Sequence, residues 1–162
     1  PEHLQAVLAV LQECGCQIYM DKDSITLSRT SPLQPVDVIR TLPYPGFPTD
    51  IQAPMMSVLT LANGTSIMSE TIFENRFKHV EELIRMGADI MVDGRVAVIR
   101  GVDSLTGANV NAMDIRGGAA LVIAGLAAEG ITTVTGVHHI DRGYEEIEDK
   151  FAVLGADIKR VD

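Results

Sequence analysis

"IRMGADIM", Ile84–Met91, joins the end of an amphipathic helix to the start of a strand through one glycine. The same passage recurs as "LQECGCQI" at Leu11–Ile18 and as "AVLGADIK" at Ala152–Lys159. Gly15, Gly87 and Gly155 stand roughly seventy residues apart, and glycine suits the left-handed position that closes a helix. A second pair of segments also matches. "DIQAPMMSVLTLANGTSI" from Asp50 and "DIRGGAALVIAGLAAEGITTV" from Asp114 each read aspartate, apolar helix, glycine stop and β-branched strand. The chain is therefore read as duplicated units of roughly 65–70 residues.

The coarse unit is helix, strand, helix, then a strand or hairpin. "DIMVDGRVAVI" predicts a hairpin with Asp93-Gly94 as its two-residue turn, and "IYMDKDSITLS" predicts another, turning at Asp21 to Ser24. The middle unit reads as complete, from about Pro43 to Gly101. The last runs from about Asn109 to Asp162, and the first holds only a second half, His3 to Arg29. This divides a single domain, 1–162, into units of about 1–40 (partial), 41–102 and 103–162. A chain that opens inside a unit, on Pro1 rather than methionine, is expected to be a piece of something longer. The helix within Ile115–Gly130 is apolar almost all round, so it should be buried on most sides, and it is too short to cross a membrane. Helices enclosed by sheet are the simplest α/β arrangement that fits.

Bulk properties narrow the function. With 162 residues, 46% of them hydrophobic, the chain can bury a core as one domain. A net charge of −9 argues against nucleic acid or an anionic membrane as the main partner. No apolar run reaches membrane length and no signal peptide opens the chain. Cys14 and Cys16 are too close for an ordinary structural disulfide, which fits a reducing, cytoplasmic setting.

Chemistry is expected at helix starts. Asp50, Asn75, Asp114 and Asp141 are N-cap residue types directly before helical patterns. Arg76 and Arg142 follow a cap directly, and Arg116 follows two residues on. A cation in the first turn opposes the helix dipole by about 0.3–1 kcal/mol. Three such arginines at corresponding points predict guanidinium groups turned toward a shared anion. The bland alternative is solvated arginines paired with Glu74, Asp114 and Glu145. His138-His139 with Asp141 makes a poor chelating set if the pair lies in a strand, and "DKDS" does not continue as a calcium loop, so no metal is expected. No phosphate loop or dinucleotide fingerprint is present, and no cofactor is expected.

Four motifs, in order, carry a resemblance: "PGFPTDIQ", "TIFENRFKHVEEL", "MDIRGGAALVIAGL" and "HHIDRGYEEIEDKFAVLGADI". Together they resemble the C-terminal half of the UDP-N-acetylglucosamine 1-carboxyvinyltransferases, bacterial cytoplasmic members of the enolpyruvyl transferase family and targets of fosfomycin. The resemblance implies an inside-out α/β barrel of repeated helix–strand units, helices inside and sheets outside, paired with an N-terminal domain across a cleft. It implies transfer of the enolpyruvyl group of phosphoenolpyruvate to the 3′-hydroxyl of UDP-N-acetylglucosamine with release of phosphate. That is the first committed step of peptidoglycan synthesis, on which cell shape and division depend.

Residue by residue, the resemblance makes Asp50 the group that contacts the sugar hydroxyl and serves as its general base. Pro43, Pro45 and Pro48 stiffen the loop that presents it. Ile72 matches a residue of the uridine site. Arg142 matches a ligand of the phosphoenolpyruvate carboxylate or phosphate, Arg76 and Arg116 match arginines at the cleft, and Asp114 matches an aspartate near the reacting centre. Preplaced cations of this kind suit an anionic tetrahedral intermediate. Two departures stand out. Gly117 and Gly118 replace the family's usual alanine or serine and are expected to loosen the helix start around Arg116. The family's lysine–asparagine pair and reactive cysteine belong to the other domain, and neither Cys14 nor Cys16 matches that cysteine, so the chain alone is expected not to turn over. The alternative is a non-catalytic nucleotide-sugar-binding or structural module of the same fold.

Overall fold

A computed structural model of the chain describes residues 2–161. Pro1 and Asp162, the limits of the sequence reading, lie outside the described residues. The elements run α1 (Gln5–Glu13), β1 (Gln17–Met20), β2 (Ile25–Ser28), β3 (Val38–Arg40), α2 (Gln52–Leu59), β4 (Thr65–Ser69), α3 (Val80–Arg85), β5 (Asp89–Asp93), β6 (Val96–Arg100), β7 (Asn109–Asn111), α4 (Ile115–Ala127), β8 (Thr133–Thr135), α5 (His138–Asp141) and α6 (Ile147–Val153).

The repeated passages close their helices with the same pair of bonds. Gly15, Gly87 and Gly155 have φ of +89°, +95° and +94°. The amide of each glycine donates three residues back, to Gln12, Ile84 and Ala152, each at 2.9 Å. The next amide donates five back, from Cys16 to Leu11, Ala88 to Leu83 and Ala156 to Phe151, each at 3.0 Å. This is the Schellman arrangement, which satisfies carbonyls that a helix end leaves open. The repeat is thus one backbone device used three times.

Beyond the glycine the three copies diverge. After Gly15 and Gly87 the chain enters a hairpin, β1–β2 and β5–β6, both antiparallel. Asp21 donates its amide to the Ser24 carbonyl at 3.0 Å, as the first turn requires. In the second hairpin Asp93 pairs with Val96, so the two turn residues are Gly94 and Arg95, one position later than the sequence pattern suggests. After Gly155 the expected strand is absent: Ala156–Val161 has no ladder partner and is not a strand. A strand exists by its pairing, so a matching local sequence is not sufficient.

Sheet order in the middle unit is β3-β4-β6-β5, with β3 parallel to β4 and the other neighbours antiparallel. β7 and β8 repeat the parallel pair of β3 and β4. The leading strands β3 and β7 are three residues long, too short to announce themselves by alternation. α2 and α4 pack against each other at the centre, and the Ser57 hydroxyl donates to the Ala120 carbonyl at 2.8 Å. Met55, Met56 and Leu59 of α2, and Ala119, Ala120, Leu121 and Ala124 of α4, are buried, as expected for helices enclosed by sheet. Met68, Ile90, Ala97 and Ile99 supply the inner face of the four-stranded sheet. No helix among the described residues is long and apolar enough to cross a membrane.

A Cβ at Gly87 would meet nothing within 4 Å, so backbone strain alone opposes a side chain there. Gly87→Ala is expected to cost about 1–2 kcal/mol. Urea unfolding would show a lower midpoint with the same slope, and an unchanged midpoint would remove the left-handed cap as the reason for this glycine.

Candidate active site

The site is organised around a buried carboxylate that sequence reasoning passed over. Glu70 follows β4 and is 1% exposed. Its Oε1 accepts from the Thr41 hydroxyl at 2.8 Å and from the amides of Ile72 and Phe73 at 2.8 and 3.1 Å. Its Oε2 accepts from the Thr49 hydroxyl at 2.8 Å. Burial alone would raise the Glu70 pKa, but these four donors outweigh it and hold the carboxyl below the usual range. Thr41 extends the network by accepting from the Thr71 amide at 2.8 Å, while the Thr71 hydroxyl donates to the Thr41 carbonyl. One ionised group thereby ties the proline-rich loop ending at Thr49 to the loop that opens with Thr71.

Asp50 is the next residue after Thr49. It lies in a 3₁₀ turn, Thr49–Ile51, preceded by Pro48, and its side chain caps neither this turn nor α2. The N-cap expected at Asp50 is therefore corrected, because the turn moves the start of α2 to Gln52. The uncommitted carboxylate receives two cations instead. Arg116 Nε stands 3.1 Å from Asp50 Oδ1, and an Arg76 guanidinium nitrogen stands 3.5 Å from the same oxygen. The Asp50 side chain remains half exposed.

Arg76 and Arg116 reach this point by different routes. Asn75 is not an N-cap: it has φ of +54° in the loop before α3, which begins only at Val80. Asparagine tolerates the left-handed region better than most residues, and here it turns the chain. Arg76 then lies with its guanidinium carbon 4.5 Å from the centre of the Phe73 ring, a cation–π contact. The helix-dipole argument does not apply to it. It does apply to Arg116, in the first turn of α4. Asp114 caps that helix, its Oδ1 accepting from the amides of Arg116 at 3.0 Å and Gly117 at 2.7 Å. Partial burial opposes the Arg116 charge, but Asp50 and Tyr144 outweigh it and raise the pKa. The Tyr144 hydroxyl lies 3.2 Å from the guanidinium.

The two glycines do not loosen this start. α4 is helical from Ile115, and Gly117 and Gly118 are buried. A Cβ on Gly117 would sit 3.0 Å from the His79 Cβ. One on Gly118 would sit 2.5 Å from Ile140 Cγ1 and 3.0 Å from the Ala112 Cβ. The glycines let α3 and α5 close on α4.

Arg142 follows the end of α5 rather than a helix start, and Asp141 closes that helix instead of capping one. The misreading came from "HHID", which forms its own short helix, so His138 and His139 are helical rather than in a strand. Buried Ile140 seats α5 on Gly118, and Gly143 packs against Ile115, which brings Arg142 to the starting end of α4. Arg142 is exposed and makes no ion pair among the described residues. Asp141 is gripped by Arg160 through two bonds of 2.7 and 3.0 Å, and Arg160 also holds Glu148. Ile72 is partly exposed, on the loop clamped by Glu70. Thus Asp50, Arg76 and Arg116 meet directly, Asp114 supports Arg116, and Arg142 and Ile72 stand on adjoining segments.

Two further buried groups lie outside the Asp50, Arg76 and Arg116 cluster. Burial pushes the Cys14 thiol up to about 11, with Cys16 and Glu13 adding to it, so it stays protonated in the core. His79, behind Gly117, is 3% exposed, and neither ring nitrogen has a hydrogen-bond partner. Burial lowers its pKa to about 4, only partly offset by the nearby Asp114 charge and the Arg76 backbone. Among the described residues no cluster of three His, Cys, Asp or Glu could hold a metal.

Buried central helices, outer sheets and arginines gathered at an aspartate define an enolpyruvyl-transferase domain. The family model described as EPSP synthase (3-phosphoshikimate 1-carboxyvinyltransferase) matches residues 1–151. The chain belongs to this family. It is 59% identical over 160 residues to UDP-N-acetylglucosamine 1-carboxyvinyltransferase 2 of Caldanaerobacter subterraneus subsp. tengcongensis, covering 99% of this chain and 38% of that protein. It is 57% identical over 162 residues to UDP-N-acetylglucosamine 1-carboxyvinyltransferase 1 of Carboxydothermus hydrogenoformans, again covering 38% of the relative and 100% of this chain. The chain thus spans well under half the length of these relatives. Among solved structures it superposes on the enolpyruvyl transferase NikO from Streptomyces tendae with a TM-score of 0.86 at 29% identity, covering 96% of this chain and 36% of NikO. An EPSP synthase from Acinetobacter baumannii, at 20% identity and a TM-score of 0.61 over 81% of this chain and 32% of that one, shares the fold.

One measurement tests the Glu70 network and another the buried His79. Glu70→Gln cannot accept from four donors, and it is expected to lower stability by about 1–3 kcal/mol in urea unfolding at pH 7. A loss of a few tenths would show that the loops hold without the charge. His79 gives a pH signature. Its folded value, about 4, lies below its ordinary 6.5, so the unfolded chain takes the proton first. The stability present above pH 6.5 then declines as pH falls toward 4. His79→Leu is expected to flatten the fall between pH 7 and 4.5 by about 2–3 kcal/mol, and parallel curves for the two proteins would mean that the imidazole is not held neutral.

Proposed function

We propose that this chain is the C-terminal half, 1–162, of a two-domain UDP-N-acetylglucosamine 1-carboxyvinyltransferase and supplies one wall of its active site. The reaction moves the enolpyruvyl group of phosphoenolpyruvate to the 3′-hydroxyl of UDP-N-acetylglucosamine and releases phosphate, at the entry to peptidoglycan synthesis in the bacterial cytoplasm. The observation that carries this reading is the convergence of Arg76 and Arg116 on one oxygen of an aspartate that caps nothing. The identity to the curated relatives supports the substrates.

In this reading the hydroxyl oxygen bonds to C2 of phosphoenolpyruvate while C3 gains a proton. Asp50 takes the hydroxyl proton. The resulting tetrahedral ketal then loses phosphate from C2 and a proton from C3, restoring the double bond. Its carboxylate and phosphate demand fixed cations. Arg76 and Arg116 are held in place by Phe73 and Tyr144 while still partly exposed. An incoming phosphate or carboxylate oxygen competes with Asp50 for them, leaving Asp50 free to accept its proton. Arg142, with no ion pair among the described residues, is the cation available to phosphoenolpyruvate. Asp114 acts at the reacting centre by fixing the first turn that bears Arg116. Ile72 gives the uracil an apolar contact. The partner is the N-terminal domain of the same enzyme. The reaction as written needs no metal or cofactor.

Phosphate release from phosphoenolpyruvate plus UDP-N-acetylglucosamine tests the proposal, with this chain alone and with a separately made N-terminal half. Turnover is expected in the mixture alone, and Asp50→Ala is expected to lower kcat by at least about 100-fold. Associated halves that bind the nucleotide sugar yet release no phosphate would overturn the reaction in favour of a non-catalytic module.

A further inference from the structure

The segment that carries Arg142 is closed at both ends by one side chain. Asp141 is the last residue of α5, and Glu148 lies in the first turn of α6. Residues 142–147 run between them. Arg160 reaches both ends. Its two terminal nitrogens donate to Asp141 Oδ2 at 3.0 Å and Oδ1 at 2.7 Å. Its Nε donates to Glu148 Oε1 at 2.5 Å, and a terminal nitrogen donates to Oε2 at 3.1 Å. One guanidinium thus engages every oxygen of two carboxylates, and these bonds hold both carboxyls below the usual range. A planar fork can do this, and the point charge of a lysine cannot.

The segment needs such a hold. Glu146 has φ of +46° and ψ of +53°, a left-handed conformation that costs a residue with a Cβ about 1–2 kcal/mol. Apolar contacts seat the segment without aiming it. Ile140, Tyr144, Ile147 and Ile158 share one small cluster, and Gly143 lies against Ile115. Ile158 stands two residues before Arg160, so the clamp itself has a fixed base. Two groups of the site depend on the segment: Arg142, exposed and without an ion pair among the described residues, and Tyr144, whose hydroxyl meets Arg116 at 3.2 Å. The clamp also occupies two of the acids around Arg142. With it gone, Asp141 and Glu148 would be open to other cations.

We propose that Arg160 is a positioning residue for enolpyruvyl transfer: by tying Asp141 to Glu148 it fixes residues 142–147 and aims Arg142 at the phosphoenolpyruvate anion. Arg160 itself touches no substrate. The proposal rests on the reading of Arg142 as the phosphoenolpyruvate cation. Exposed ion pairs add little to global stability, so the effect of the clamp lies in the geometry of this loop.

Steady-state kinetics test it, with this chain replacing the matching segment of the full-length Caldanaerobacter relative. Arg160→Ala and Arg160→Lys are each expected to raise KM for phosphoenolpyruvate at least about 10-fold and KM for UDP-N-acetylglucosamine less than about 2-fold, with the urea midpoint unchanged. Glu148→Gln, which opens one end, is expected to act in the same direction and to add nothing to Arg160→Ala, because the two share one interaction. An unchanged KM for phosphoenolpyruvate overturns the proposal. So does an equal rise in both KM values, which would make Arg160 merely structural, or full activity of Arg160→Lys, which would make the fork irrelevant. If the unsubstituted protein releases no phosphate, the reaction itself is unseated. The clamp is then judged by amide exchange in the same proteins: Gly143 and Tyr144, both bonded to the Ile140 carbonyl, are expected to exchange at least about 10-fold faster in Arg160→Ala. Equal exchange overturns the clamp as well.

Discussion

The Glu70 carboxylate is the constraint on which the candidate site depends. A charge taken out of water is tolerable only when its lone pairs are matched, and the matching groups here come from three separate stretches of chain: Thr41, Thr49 and the amides after Glu70 itself. Satisfying one buried group therefore fixes two loops relative to β4. Asp50 follows Thr49, and Phe73, which carries Arg76 on its face, follows two residues after Thr71. The loop prolines limit the conformations of the first loop, and Glu70 selects which of them the folded chain keeps.

The second anchor is the start of α4. Arg116 sits where the helix dipole repels it, and two carboxylates offset that repulsion in different ways. Asp114 satisfies the first amides from within the helix, and Asp50 meets the guanidinium from another loop. The close approach of α3 and α5 comes from Gly117 and Gly118, which leave no side chain between the helices. Because α5 is seated on Gly118, the same contact that packs the core brings Arg142 to the starting end of α4. The Arg160 grip on Asp141 adds a second hold on that segment from the far end of the chain.

The arginines were found in the sequence by an argument that holds for one of them. Arg116 follows a true N-cap. Asn75 precedes no helix start, and Asp141 ends a helix. What the three arginines share is partial or full exposure in a chain of net charge −9, and only the charge was visible in composition. The motif resemblance selected the same residues independently. Glu70 left no local signal, since a glutamate after a β-branched strand reads as the solvated end of that strand, and two of its donors lie 21 and 29 residues away. His79 and Tyr144 were hidden for the same reason.

By itself the sequence determined the features that depend on neighbours along the chain. These are the three glycine-closed helices, the hairpins that come after two of them, the apolar helix that must be enclosed, and the cap at Asp114. Each arises from backbone geometry or periodicity within a few residues. Tertiary structure alone decided the features that need a partner from elsewhere. It placed both arginines on Asp50, ionised Glu70 out of water, and left Ala156–Val161 without strand pairing although its sequence matches that of β5. Hydrogen bonds between strands and charges between loops form across the fold, and their energy depends on distances that the order of residues does not contain.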